Sequence, residues 1–318
     1  MENHGVKRSK VKESDAAAQE RHKEEAARIV RYKTLLDSLS KAAHDESALD
    51  LTTSILEINP DFVTGWNHRR RCWLAMLKSD GDKQARLTQD LQLTMKALAY
   101  NPKIYAVWEY RKWLLKVMPD PDWSYELKTV ERLLMQDARN FHGWDYRRYI
   151  VDNLRERNAP NGTTVKRPAV TDQSEFDFTT RKIASSFSNF SAWHYRSKVL
   201  SRLQLDDGLD REFDLVRQAI YTDPEDQSAW IYHRWLIGKG ENEALLRREI
   251  DAVSDLREID PDSRWALESL VHNKSLLRKL HSGEEHDSLG EEIGSHLEQL
   301  ILVDPDRASR YRYLASDI

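Results

Sequence analysis

A single cysteine, Cys72, in 318 residues rules out an internal disulfide framework and any zinc motif built on cysteine pairs. No run of 18 or more apolar residues occurs, and the opening Met1 to Lys10 lacks the apolar centre of a secretion signal, so a cytoplasmic protein without a transmembrane segment is expected. His-Glu-x-x-His, a Gly-rich phosphate loop, Gly-x-Ser-x-Gly and a dinucleotide fingerprint are all missing. The 11 histidines are scattered without metal-ligand spacing, which argues against a metal centre within this chain. A formal net charge of −4 supplies no broad positive field, so nucleic acid is not an expected partner. Chain-breakers are few, with 11 Gly and 9 Pro, as suits a long helical array.

What the sequence does have is aromatic residues, 10 Trp and 12 Tyr, and the tryptophans are in phase. Asn59-Pro60 leads to Trp66-Asn67-His68-Arg69, and Asn101-Pro102 leads to Trp108-Glu109-Tyr110-Arg111. Asp137 to Trp144-Asp145-Tyr146-Arg147 and Ser188 to Trp193-His194-Tyr195-Arg196 keep the spacing without proline. Asp223-Pro224 to Trp230-Ile231-Tyr232-His233-Arg234 is a fifth copy; Asp260-Pro261 with Trp265 and Asp304-Pro305 with Tyr311 are weaker sixth and seventh copies. Steps of 42, 36, 49, 37 and 35 residues between tryptophans fit a two-helix hairpin plus turns. The long step holds residues 158–174, rich in Pro, Gly and Thr, which read as a surface loop inserted between hairpins and not as a domain boundary.

Each phrase has a mechanical reading. Asn or Asp is expected at the N-cap of a second helix with Pro at its first position. An amphipathic first helix precedes it, as at Ala48 to Leu56 or Leu127 to Leu134. The Trp then lies inside the second helix with the Arg beside it on the same surface. Two roles stay open for the Trp-x-x-Arg residues: an indole filling the groove between hairpins with a guanidinium paired to a neighbouring carboxylate, or a stripe on a shared concave surface. Cys72 reads as a small buried apolar group. Ahead of the repeats, residues 12–41 form a charged helix whose apolar residues, Tyr32, Leu35, Leu36 and Leu39, come only at its end. The basic tip Lys7, Arg8, Lys10 and Lys12 beside His4 reads as a solvated end. The expected architecture is one all-α repeat domain over 1–318, a right-handed α-α superhelix of about seven helical hairpins. It has an N-terminal arm and helix at 1–44 and repeats at 45–318.

These repeats resemble those of protein prenyltransferase α subunits, whose signature is an Asn-Pro or Asp-x start followed by Trp-x-x-Arg about every 35 residues. More narrowly, His4-Gly5-Val6-Lys7, Arg139-Asn140-Phe141-His142, Phe187 to Ser197 and Asp223 to Trp235 are similar to the α subunits of Rab (type II) geranylgeranyltransferases. The resemblance implies a crescent of paired helices around a β subunit that holds the catalytic zinc, in an obligate heterodimer inactive as separate chains. Such an enzyme transfers geranylgeranyl from its diphosphate to C-terminal cysteines of Rab GTPases presented by a Rab escort protein.

By that resemblance Lys103 contacts the lipid diphosphate, with Tyr105 and Arg139 as further contacts. Phe141 stands where farnesyl-transferring relatives have a Tyr. A first-turn lysine opposes the helix dipole, which agrees with an anion nearby. The interface to the β subunit is expected on Trp66, Arg69, Trp108, Arg111, Trp144, Arg147, Trp193, Tyr195, Arg196, Trp230, His233 and Arg234. His4 is the counterpart of an autoinhibitory histidine that reaches the β-subunit zinc in relatives, here set back by Met1-Glu2-Asn3. With Gly238 to Asn242 at one insertion point and Ile318 at the end, no immunoglobulin-like or leucine-rich-repeat domain is expected. Two rival readings are an α subunit shared by farnesyltransferase and type-I geranylgeranyltransferase, and a non-catalytic helical-repeat scaffold that binds peptides. Lys103→Ala is expected to weaken use of the lipid diphosphate while leaving heterodimer assembly intact.

Overall fold

The computed structural model describes residues 14–76, 83–157, 170–203, 208–316 and 318. Within them the regular structure is helical: fifteen α-helices, one short 3-10 turn at Pro305–Arg307 and no strand. Among the described residues no helix is long and apolar enough to cross a membrane.

The chain forms two compact units, residues 1–169 and 170–318. The first unit opens with α1 (Asp15–Lys41), capped by the Ser14 hydroxyl, which accepts from the Ala17 N–H. Only Leu39 of α1 is buried, so this charged helix docks at its C-terminal end. Three hairpins follow: α2 (Glu46–Ile58) with α3 (Val63–Met76), α4 (Lys83–Tyr100) with α5 (Tyr105–Val117), and α6 (Trp123–Gln136) with α7 (Phe141–Arg157). The second unit holds four more. They are α8 (Asp172–Ser185) with α9 (Phe190–Leu200), α10 (Gly208–Thr222) with α11 (Gln227–Ile237), α12 (Glu243–Ile259) with α13 (Arg264–Arg278), and α14 (Glu284–Val303) with α15 (Ala308–Ala315). Apolar residues three and four apart on each first helix supply the buried face, as with Leu49, Thr52, Ile55 and Leu56 of α2.

The turn inside each hairpin differs from the expectation. The Asn or Asp that opens each phrase does not cap the second helix; Asn59, Asp137, Asp260 and Asp304 are the C-caps of first helices. The physical reason is local. The Asn59, Asn101 and Asp223 side chains accept from the amide two residues on, at 3.2, 3.0 and 3.2 Å, closing a turn before the second helix can begin. Proline, which lacks an N–H, occupies that turn, and its carbonyl is left as an acceptor. The true N-caps come four residues before the Trp, where Asn140, Asn189 and Asp226 accept from early helical amides.

The predicted loop 158–174 is likewise shorter at its end. Residues 172–174 form the first turn of α8, held by a capping box in which Thr171 and Ser174 each accept the other's backbone N–H. Residues 158–169 lie outside the described residues.

Candidate functional site

In all five strong copies the Trp is the fourth residue of its second helix and is 1–4% exposed. Its indole N–H donates to the carbonyl six residues upstream. The acceptors are Pro60, Pro102, Ala138, Phe187 and Pro224, at 2.9, 2.9, 2.9, 2.7 and 2.8 Å for Trp66, Trp108, Trp144, Trp193 and Trp230. The indole therefore both fills the hairpin and closes the turn where the Asn-Pro carbonyl has no other helical partner. The sixth copy was assigned to the wrong tryptophan. Counting from Pro261 by the same interval reaches Leu267, which is fully buried, while Trp265 is half-exposed; the seventh falls on buried Tyr311 as expected.

The residue three after each Trp, Arg in four copies and His233 in the fifth, enters an internal network. Arg111 grips Glu126 with two hydrogen bonds, Nε at 2.9 Å and Nη2 at 2.7 Å, while its Nη1 donates to the Leu91 carbonyl and Thr94. Arg69 holds Asp90, and Arg196 holds Glu212 at 2.7 and 2.6 Å, each also donating to threonines of its own first helix. Arg147 donates to Glu131 at 3.0 Å, and His233 meets Glu249 at 3.0 Å. A tyrosine two residues after the Trp binds four of the buried acids: Tyr110, Tyr146, Tyr195 and Tyr232 donate to Asp90, Glu126, Glu175 and Glu212. Burial, with Asp90 alongside, pushes the Tyr110 phenol well above its ordinary value, so the hydroxyl stays a donor.

This network corrects the expected interface stripe. Trp66, Arg69, Trp108, Arg111, Trp144, Arg147, Trp193, Tyr195, Arg196, Trp230 and His233 are all buried within the chain itself, leaving no face for a partner to touch. Arg234 alone of that set is exposed. A buried cation needs a carboxylate, yet the buried acids of this network, Asp90, Glu126, Glu175, Glu212 and Glu249, are not marked by the Trp-x-x-Arg phrase itself. The signal that finds them is constant spacing: each of the first four lies 20 residues before the tyrosine it binds.

The expected diphosphate contacts lie on the surface instead. Lys103 and Tyr105 are exposed on the turn and first residue of α5; Arg139 and Phe141 are exposed at the matching places of the next hairpin. A physical link joins the two turns, because the Asn140 amide donates to the Pro102 carbonyl at 2.9 Å, the same atom that accepts from Trp108. His142, buried behind them, meets the Tyr105 ring edge-on at 5.1 Å and the Phe141 ring at 3.8 Å. Burial pushes its imidazole below the ordinary value. Two cations and two aromatic rings thus border adjacent, hydrogen-bonded turns, an arrangement suited to an anion carrying an apolar chain. Lys103 is on the turn before α5 and not in its first helical residue, so the argument from an opposed dipole does not apply to it. His4 lies outside the described residues, and among those described no group of three or more His, Cys, Asp or Glu residues is placed to hold a metal ion.

The fold and these nodes define an all-α helical-repeat protein whose repeats are locked by Trp–carbonyl bonds and buried Arg–carboxylate pairs. A model of the protein prenyltransferase alpha subunit repeat matches residues 45–76, 87–118, 123–154, 172–203 and 209–240, together half of the chain, and the chain belongs to that family. It is 38% identical over 212 residues to the geranylgeranyl transferase type-2 subunit alpha of Candida albicans, covering 63% of this chain and 56% of that one. Its counterparts in Sus scrofa, 39% identical over 209 residues, and Saccharomyces cerevisiae, 36% over 207, are matched over 34% and 59% of their length. The matched region thus spans between about a third and three fifths of these relatives. A solved structure of Candida albicans protein geranylgeranyltransferase-I complexed with GGPP has the same fold, with a TM-score of 0.67 over 89% of this chain and 87% of that one at 22% identity.

Proposed function

We propose that this chain is the α subunit of a Rab-type (type-2) geranylgeranyltransferase, working in the cytoplasm as an obligate heterodimer. The β subunit holds the zinc, which supplies activation of the acceptor thiol; a Rab escort protein presents the Rab GTPase. The observation that carries the reading is identity of 36–39% to type-2 alpha subunits over 63% of the chain. In the reaction a carbon–sulfur bond forms to the Rab cysteine while the carbon–oxygen bond to diphosphate breaks. Lys103 and Arg139 neutralise charge that grows on the leaving diphosphate, where fixed cations act most strongly. Tyr105 adds a hydroxyl donor, and Phe141, without one, contributes only an apolar surface. The two compact units serve as one functional repeat domain, and His4 regulates by approaching the partner's zinc.

Because the Trp-x-x-Arg side chains are internal, the β subunit is gripped by exposed residues at the starts of second helices, such as Val63, Tyr105 and Phe141, with Arg234. Co-expression with β chains of the three prenyltransferase types, followed by size exclusion and transfer of geranylgeranyl to an escorted Rab, tests the reading. A one-to-one complex with the Rab-type β chain and transfer only with both chains present is the expected result. Pairing with the farnesyl or type-I β chain would move the chain to the other subfamily, and a stable inactive monomer would favour a scaffold. In the assembled enzyme, Lys103→Ala should raise KM for the lipid diphosphate or lower kcat by at least tenfold without loss of the complex; unchanged kinetics would remove Lys103 from the site.

A further inference from the structure

Within each unit, first helices of successive hairpins flank grooves, and side chains bridge three of these. Between α2 and α4, Arg86 pairs with Glu46 and Lys96 with Glu57. Between α10 and α12, Arg217 meets Glu249 at 3.2 Å, Arg248 meets Asp210 at 2.6 Å, and the Tyr221 hydroxyl donates to the Ala252 carbonyl. Between α12 and α14, Arg247 pairs with Glu285 and Arg257 donates to Gln299. Among the described residues no ion pair crosses the groove between α4 and α6. That groove is also wider, about 800 Å³ against about 290 Å³ between α2 and α4.

The repeat register identifies what is missing. Nine residues before its Trp the first hairpin has Glu57, which pairs with Lys96, twelve before the next Trp. One repeat on, the same two places hold Ala99 and Arg132. The cation is kept and its carboxylate is gone. Arg132 is exposed, donates to Thr129 at 3.2 Å and lies 5.9 Å from the Tyr125 ring, and among the described residues it has no acidic partner. Beside it the groove is floored by Leu91, Met95, Leu115, Met118 and Leu133. Gln84 closes the far end by exchanging two hydrogen bonds with the Asp120 backbone.

We propose that the α4–α6 groove is a docking site for an amphipathic helix of a partner protein, which supplies the carboxylate that Arg132 lacks. A trough between two helices of 18 and 14 residues suits a third helix laid along it, and the methionines adapt to varied apolar anchors. Charge complementarity selects an acidic partner over a basic one. The groove shares no lining residue with Lys103, Tyr105 or Arg139, and the proposal does not depend on the proposed transferase activity.

The test is fluorescence anisotropy of the full chain with a labelled 16-residue helical peptide bearing leucines at i, i+3, i+4, i+7 and i+11 and flanking glutamates, against a twin with lysines in their place. The acidic peptide should bind at least tenfold more tightly. Ala99→Glu, at an exposed position, rebuilds the first groove's ion pair; it should weaken the acidic peptide at least tenfold while the melting temperature holds or rises. Arg132→Glu should reverse the preference between the peptides. Equal binding of both peptides, or indifference to Ala99→Glu, would overturn the proposal. Two further results would also overturn it: a dimer in sedimentation that Ala99→Glu abolishes would assign the groove to a second copy, and anionic vesicles that bind where the peptide does not would assign it to lipid.

Discussion

The nodes at Glu126 and at Glu249 solve one problem with different parts. Glu126 receives a bidentate Arg111 and the Tyr146 hydroxyl, each almost wholly buried. Glu249 receives a single bond from His233, and where the other nodes have a tyrosine the chain has Ser269; Arg217 and Arg248, partly exposed, take up the remaining acceptor capacity. The buried carboxylate is the fixed element, and its donors are interchangeable provided the charge is matched. Glu126 is locked from within, whereas Glu249 is held partly from the rim, where water and salt reach its donors.

The strongest test of this contrast is Glu126→Ala, which strands a buried guanidinium and a buried phenol. It should cost about 3–5 kcal/mol in denaturant unfolding, and co-substitution Arg111→Met should recover part of that. Trp108→Phe keeps the buried ring but removes one of the two donors to Pro102, Asn140 remaining as the other; a loss of about 1–3 kcal/mol is expected from the lost hydrogen bond and the reduced packing. Acid probes the Glu249 node. Burial alone would raise the Glu249 carboxyl, but His233, Arg217 and Arg248 outweigh it and hold it below its ordinary value of 4.5. Its contribution is therefore present above pH 4.5 and is lost as pH falls through the depressed value. Glu249→Gln should flatten that part of the stability–pH curve, and an unchanged curve would mean the node is silent. Lys103→Ala marks the lower bound, with unfolding stability moved by less than about 0.5 kcal/mol, as for an exposed turn residue.

Much of the fold was legible because the Trp-x-x-Arg phrase repeats in sequence at the spacing of a hairpin. The turn was misread because Asn-Pro has the chemistry of both an N-cap pair and a closed turn, and only the backbone path decides between them. The carboxylates were hidden for a different reason: Glu126 and Glu212 look like any of the 53 acidic residues until their tyrosine partners are known. Trp265 drew attention by residue type although its neighbour Leu267 holds the structural place. Lys103, Tyr105 and Arg139 were placed by resemblance alone; no periodic or compositional signal picks out exposed turn residues.

The constant separation of 20 residues between each tyrosine and its acid is a ruler for length variation. Steps between tryptophans range from 35 to 49 residues, yet this interval does not change. An added residue between Glu126 and Tyr146 would pull an interior bond out of register, while one added after the second helix of a hairpin leaves every tyrosine–acid interval as it was; the Arg–acid bonds cross those connections at separations of 21, 15 and 16 residues, so their spacing is already variable. The chain accordingly accommodates its 49-residue step between hairpins, and the same intervals are where a tag, a label or a grafted segment can be inserted without disturbing the scaffold.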